Sequence, residues 1–308
     1  MPQQRRLPTR FLGYGLALLS TAIVATTFIV SKAVLKTLNP ESFSILWYGA
    51  AAVYAALYGH VRGDTPPART LRRQWKPLLA LACTNALSAL LWFSEIQMAD
   101  PALVSFFGCM STLFAVLLGV GLLGEQLQHQ EWAGAALILA GVLMITYYSD
   151  RVVLLVFIMA LGNTFLHASG AVIAKCAVGD VTPLTLTLVR AGGTSIIILI
   201  VTLLTGRWEW PSIGALALIA LGALGGPFIS HILFYRALAL IDVSQVSLIN
   251  ATRPLFVLLY SLLLLGSLPL LHQIAGGLLS ITGVVTLLSA RRLAPAYQAD
   301  RVAKQKEQ

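Results

Sequence analysis

The chain has 308 residues, 57% of them hydrophobic and 11% charged, with a mean hydropathy of +0.82. A soluble domain carries about one quarter charged residues and lacks the interior to hide this much apolar surface, so a soluble nucleic-acid-binding protein is excluded despite a net charge of +9. That charge reads as membrane topology, because Lys and Arg collect in short cytoplasmic loops.

A helix crossing a bilayer needs about 20 mostly apolar residues. Ten such stretches follow one another: 11–36, 41–60, 75–97, 101–123, 129–148, 152–176, 181–204, 211–238, 243–265 and 270–289. The expected fold class is an all-α polytopic membrane protein of ten transmembrane helices. Asn39-Pro40, Asp100-Pro101, Thr182-Pro183 and Trp210-Pro211 each place a proline in the first turn of the next helix, where its missing N–H costs nothing. Arg5 and Arg6 ahead of an apolar run imitate a secretory signal, but the run is longer than such a region, so cleavage is not expected. Thirteen of the 21 basic residues fall in the N-terminal tail, in the connection between spans two and three counted through Lys76, and in the tail after span ten. With an even number of spans, this puts both termini in the cytoplasm. Cys83, Cys109 and Cys176 lie far apart in apolar stretches and are expected as small buried hydrophobes, not as disulfides or metal ligands.

The chain also repeats itself. Lys32 and Pro40 match Lys175 and Pro183 at a shift of 143. At a shift of 142, Asp100, Gly124, Gly134 and Gly141 meet Asp242, Gly266, Gly276 and Gly283, and Val104-Ser105 meets Val246-Ser247. The unit has five spans, an odd number, so the second copy enters the membrane from the opposite side. Inverted repeats of this kind are a common basis of secondary transport.

The runs Leu103–Ile145 and Gln245–Leu287, with "LGE" and then "GAALILAGV" in the first, resemble the fourth and fifth helices of the EamA repeat of the drug/metabolite transporter superfamily and their second copies. The resemblance spans nearly the whole chain and implies two EamA-like five-helix repeats, 1–148 and 149–308. It also implies a substrate cavity among helices one, three, four, six, eight and nine. Two departures stand out: Ser267 follows Gly266 where the family usually repeats Glu, and Trp47 stands opposite Arg190 where Arg is frequent in both halves. Helices two and seven are peripheral in that superfamily, which assigns Arg190 a structural ion pair.

Charged and polar groups at bilayer depth need a partner, a cavity or an escape to the interface. On the third span Asn85, Ser88, Trp92 and Glu95 share one helical stripe, read either as a cavity wall or as interhelical hydrogen bonding. The sixth span carries Asn163 and His167, with Lys175 two turns further on. The ninth carries Asn250 and Arg253 ahead of Pro254, a proline that frees a carbonyl one turn back. Arg253 is the foremost candidate, a planar fork of donors suited to carboxylate or phosphate, against a structural ion pair. Lys32 and Lys175 sit near helix ends and can snorkel. His231 and Tyr235 share a face of the eighth span, as cavity lining or, for His231, as a satisfied core histidine. Arg236 is expected at the interface. Glu95 and His167 are the candidate proton carriers, since the other eleven acidic residues fall in tails, loops or helix ends. Gly134, Gly141, Gly276 and Gly283 are expected to let helices approach closely.

No HExxH, GxSxG, CxxC or Walker motif occurs, so neither an enzyme nor ATP-driven transport is expected, and no catalytic residue, cofactor or metal is assigned. The expected function is a secondary transporter, an exporter, moving a small amino acid or other zwitterionic or anionic metabolite across a bacterial inner membrane by alternating access. The alternatives are a flippase or permease for a lipid-linked or phosphorylated substrate, and a non-transporting scaffold or sensor. The partners are the small-molecule substrate and the bilayer, with no nucleic acid, and the chain acts as a monomer or weak homodimer.

Overall fold

The computed structural model describes residues 7–63, 72–123, 129–146, 151–177, 182–241, 246 and 249–306, and every regular element among them is helical. The helices are α1 (Leu7–Val34), α2 (Pro40–Arg62), α3 (Trp75–Met98), α4a (Pro101–Phe107), α4b (Met110–Leu123), α5 (His129–Thr146), α6 (Arg151–Ala177) and α7 (Pro183–Thr205). They continue with α8a (Ile213–Ala223), a π-helical segment Leu224–Ser230, α8b (His231–Leu240), α9 (Arg253–Tyr260) with a π-helical end Ser261–Leu265, and α10 (Leu271–Lys306). Six stretches are long and apolar enough to cross a membrane: Phe11–Val34, Trp75–Met98, Arg151–Gly170, Leu184–Thr205, Ile213–Phe234 and Leu271–Ser289. Pro101–Ala115, Gln130–Thr146 and Arg253–Leu265 are shorter apolar helices.

Local chemistry sets the helix starts. The side chains of Asn39, Asp100 and Thr182 accept from the backbone N–H of Ser42, Ala102 and Thr185, and a proline follows each cap, so donors left over in the first turn are satisfied. The fourth proline departs from expectation. Ser212, not Trp210, caps α8a by accepting from Ala215 N, and the helix begins at Ile213, leaving Pro211 in the connection. Gly206 and Gly266 close α7 and α9 with φ of 65° and 62°, a left-handed geometry that suits glycine. Three further expectations are corrected. The fourth span is broken at Gly108-Cys109, α10 runs past residue 289 into the basic tail, and Cys83 is exposed while Cys109 is buried. Cys176 lies outside the residues whose side chains are described.

Packing pairs α3 with α6 and α1 with α8, α1 with α9 and α4b with α6, α2 with α8 and α3 with α7, and joins α2 to α7 and α5 to α10. This set is unchanged when every helix is exchanged for its counterpart five positions along. In the α5–α10 pair, a Cβ on Gly134 would strike Leu287 N and Gly283 O, and one on Gly141 would strike Gly276 O and Ser280. The two helices therefore run antiparallel at backbone contact, held by dispersion between closely fitted surfaces, as small residues permit in membranes. At the centre Phe43, Phe93, Phe106, Phe107 and Trp47 are almost completely buried, with Phe43 and Phe93 meeting edge to face at 4.6 Å.

Even one methyl group has no room at Gly141, because the opposing atoms are backbone. Gly141→Ala is expected to destabilise the protein by ~1–3 kcal/mol through overpacking, whereas Gly214→Ala, where a Cβ meets open space, leaves stability unchanged. Thermal unfolding of the purified protein in detergent checks both.

Candidate functional site

Two helix interruptions lie side by side in the bundle. α4a ends at Phe107, and around Gly108 the helical bonds tighten: Cys109 N donates to Phe106 O at 3.1 Å, and Thr112 N to Cys109 O at 3.2 Å. α9 is preceded by a turn at Ala251-Thr252, where Thr252 N donates to Ile249 O at 3.0 Å and Leu255 N to Thr252 O at 3.0 Å. Pro254 explains the second break, since it has no N–H for the Asn250 carbonyl. The first combines glycine's weak helix propensity with competition from Ser111, whose hydroxyl donates to Gly108 O at 2.8 Å. Cys109 and Ala251 are 142 positions apart, so the breaks are counterparts in the internal repeat. Sequence reasoning missed the one at Gly108. The available signal was its alignment with Asn250, just ahead of Pro254.

α4a packs on α9 and brings the breaks together, with Cys109 within Coulomb range of Arg253. Arg253 is half-buried, its Nε is buried without a hydrogen-bond partner, and no carboxylate among the described residues pairs with it. Asn250 is held to α1 through its Oδ1, which accepts from Thr21 Oγ1 at 2.8 Å. His167 on α6 is exposed, yet it lies within Coulomb range of Arg253 on α9, Arg190 on α7 and His231 on α8. The guanidinium groups of Arg190 and Arg253, on two different helices, thus both act on this one imidazole of a third.

The stripe on α3 turns inward as a unit. Asn85 Nδ2 donates to Thr194 Oγ1 at 2.8 Å, and Ser88 Oγ donates to Asn163 Oδ1 at 2.7 Å. Asn163 Nδ2 reaches Glu95 Oε2 at 3.5 Å, and Trp92 meets Phe28 edge to face at 5.0 Å. Glu95 is 1% exposed, and its Oε1 has no hydrogen-bond partner. Glu95, Asn163 and Ser88 thus form one buried polar group between α3 and α6, and His167 lies one turn along the same face of α6 as Asn163. Arg236 is exposed.

Lys32 is not part of this arrangement. Its Nζ donates to the carbonyls of Gln97 and Ala99, each at 3.0 Å, and so satisfies the C-terminal end of α3, where backbone carbonyls lack helical donors. The side chains of Lys175 and Tyr235 lie outside the described residues. His231 meets Arg190, whose Nη2 lies 3.0 Å from its Nε2. The expected ion pair of Arg190 is corrected here: its hydrogen-bond partners are neutral groups, His231 and Asn85 Oδ1, the latter at 3.5 Å.

Three likenesses to known proteins bear on this site. A transporter of Sinorhizobium sp. described as "Uncharacterized transporter in cobO 3'region" is 27% identical over 133 residues, 43% of this chain and 94% of that protein. A protein solved by crystallography shares the fold with a TM-score of 0.67 at 18% identity, over 93% of this chain and 99% of that one. The EamA-like transporter family matches residues 11–147 and again 154–289. With nearly the whole length accounted for by those two matches, the chain belongs to the EamA-like transporter family.

Proposed function

We propose that the protein is a secondary transporter, acting as an exporter, that carries a small anionic or zwitterionic metabolite of the amino-acid type across a bacterial inner membrane by alternating access. In this reading the chain crosses the membrane ten times as two inverted five-helix repeats, 1–148 and 149–308, with both termini cytoplasmic. The exchange symmetry of the packing supports the repeat. So does the antiparallel α5–α10 contact, because two copies of one helix oppose each other only if the copies enter from opposite sides. Arg207 pairs with Glu41 at 2.7 Å, and Glu209 accepts from Asn39 N at 2.7 Å. Lys32 meets residues 97 and 99, and Ser261 donates to Asp100 at 3.4 Å. These contacts gather the connections after α1, α3, α7 and α9 on one face, as an alternating ten-span path requires.

The observation that carries the substrate reading is Arg253, a guanidinium without counter-charge at two counterpart helix breaks. Interrupted helices in corresponding positions of two repeats point to the binding site of a transporter. An unpaired cation at such depth costs several kcal/mol, a cost that an arriving carboxylate removes. Glu95, with one oxygen free of hydrogen bonds, complements it as a partner for an ammonium group.

Reporter fusions after residues 70 and 300 are expected to read cytoplasmic and a fusion near 150 external; an external signal at 300 overturns the ten-span path. In proteoliposomes supplied with an amino-acid mixture, the wild-type protein is expected to carry flux. Arg253→Gln should lower kcat/KM by ~10–100-fold, the worth of a charge-assisted hydrogen bond. Absence of flux from the wild type favours the scaffold reading instead. Proton coupling is assigned to Glu95, with His167 as the alternative carrier. Glu95→Gln is expected to abolish pH-driven accumulation while leaving substrate-for-substrate exchange intact. Accumulation that persists in the Glu95→Gln, His167→Ala double variant rules these carriers out.

A further inference from the structure

We infer that Arg190 forms a second anion subsite near Arg253, so that the transported solute carries a second acidic group, as an amino acid with an acidic side chain does. The inference rests on the proposed role of Arg253 as the first subsite.

The neighbours of Arg190 orient it without neutralising it. Asn85 gives its Nδ2 to Thr194, which leaves its Oδ1 facing the guanidinium. His231 Nδ1 lies 3.4 Å from Gly226 O. A proton on that nitrogen, donated to the carbonyl, leaves Nε2 with a lone pair to accept from Arg190 Nη2 at 3.0 Å. Two neutral acceptors thus take part of a fork of five N–H donors and leave its charge uncompensated. No carboxylate among the described residues pairs with Arg190; the ion pair Arg207–Glu41 belongs to exposed connections. A lone charge withdrawn from water is costly, and a counter-ion removes that cost.

Arg190 and Arg253 also act on the same two histidines. Arg190 is half-buried, and the solvent-exposed His167 lies within Coulomb range of both arginines. His231, bonded to Arg190, is in range of Arg253 as well. Among the described residues no carboxylate pairs with either of the two guanidinium groups that act on His167. A solute with a single carboxylate on Arg253 leaves Arg190 unmatched; a second acidic group on the solute closes the balance. Packing does not demand an arginine here either. Its counterpart in the first half is Trp47, which fills the space beside Gly222 and Gly226 of the eighth helix.

The test uses the full-length protein in lipid nanodiscs and three pairs of probes that differ in the second acidic group: L-glutamate and L-glutamine, L-aspartate and L-asparagine, O-phospho-L-serine and L-serine. The phosphoserine pair separates a phosphoryl preference from a carboxylate one. Wild-type protein is expected to bind the acidic member of at least one pair tighter by about tenfold or more. Arg190→Gln should erase that preference while binding the neutral member as before. No preference in the wild type, no binding of any probe, or an equal loss for both members of a pair in Arg190→Gln overturns the inference; an equal loss marks Arg190 as a mere cross-link of three helices. If Arg190→Gln does not fold, Arg190→Lys decides, since it keeps the charge and must keep the acidic preference. Arg253→Gln separates the two readings. Unchanged binding of the neutral members in that variant removes Arg253 from the site, while the preference set by Arg190 is still read within each pair.

Discussion

Inside a bilayer no water is at hand to pair with a backbone N–H or carbonyl, so a helix may break there only where protein or a wet cavity receives the freed groups. The architecture of this chain follows from that constraint. The breaks at Gly108-Cys109 and Ala251-Thr252 keep most of their backbone paired through shorter turns. They lie where α4a and α9 cover each other and where Arg253 sits beside solvent-exposed His167. The proposed binding region therefore lies where the fourth and ninth helices share a defect that lipid would not tolerate.

How much of this was legible in the sequence depended on the range of the interaction. Helix starts at Asn39, Asp100 and Thr182 could be read because cap and proline lie within a few residues of each other. The inward stripe on α3 followed from its spacing alone, and the glycines of α5 and α10 from the repeat. Gly108 was passed over because a glycine within an apolar span looks like a packing residue; only the hydroxyl of Ser111, which takes the Gly108 carbonyl, makes it a break. Lys32 near a helix end was expected to seek water, but the exposed carbonyls of α3 offer it a closer partner.

Arg190 shows a different limit. A buried arginine ordinarily implies a carboxylate, and nothing local says otherwise. Its partner is a histidine on another helix, oriented by a carbonyl of the π-helical segment around Pro227. π-Helical turns often accompany functional sites, and here the turn explains why an imidazole rather than an acid faces the guanidinium. The two halves thus use this pair of positions differently: Trp47 fills volume, and Arg190 brings charge.

The contacts also differ in how readily they can change. α5 and α10 touch through backbone atoms at four glycines; sliding either helix by a residue drives side chains into main chain, so this pair is fixed relative to itself. The helices around the cavity meet through single side-chain hydrogen bonds, Thr21 to Asn250, Ser88 to Asn163 and Asn85 to Thr194, each of which water or a polar solute can replace at small net cost. A solute at the proposed site competes with those bonds and not with the glycine seam. In the proposed alternating-access cycle the polar contacts are the ones that change, and the seam is the one that stays. In that reading a reshaping of the site moves α1, α3, α6 and α8 against one another while α5 and α10 keep their contact.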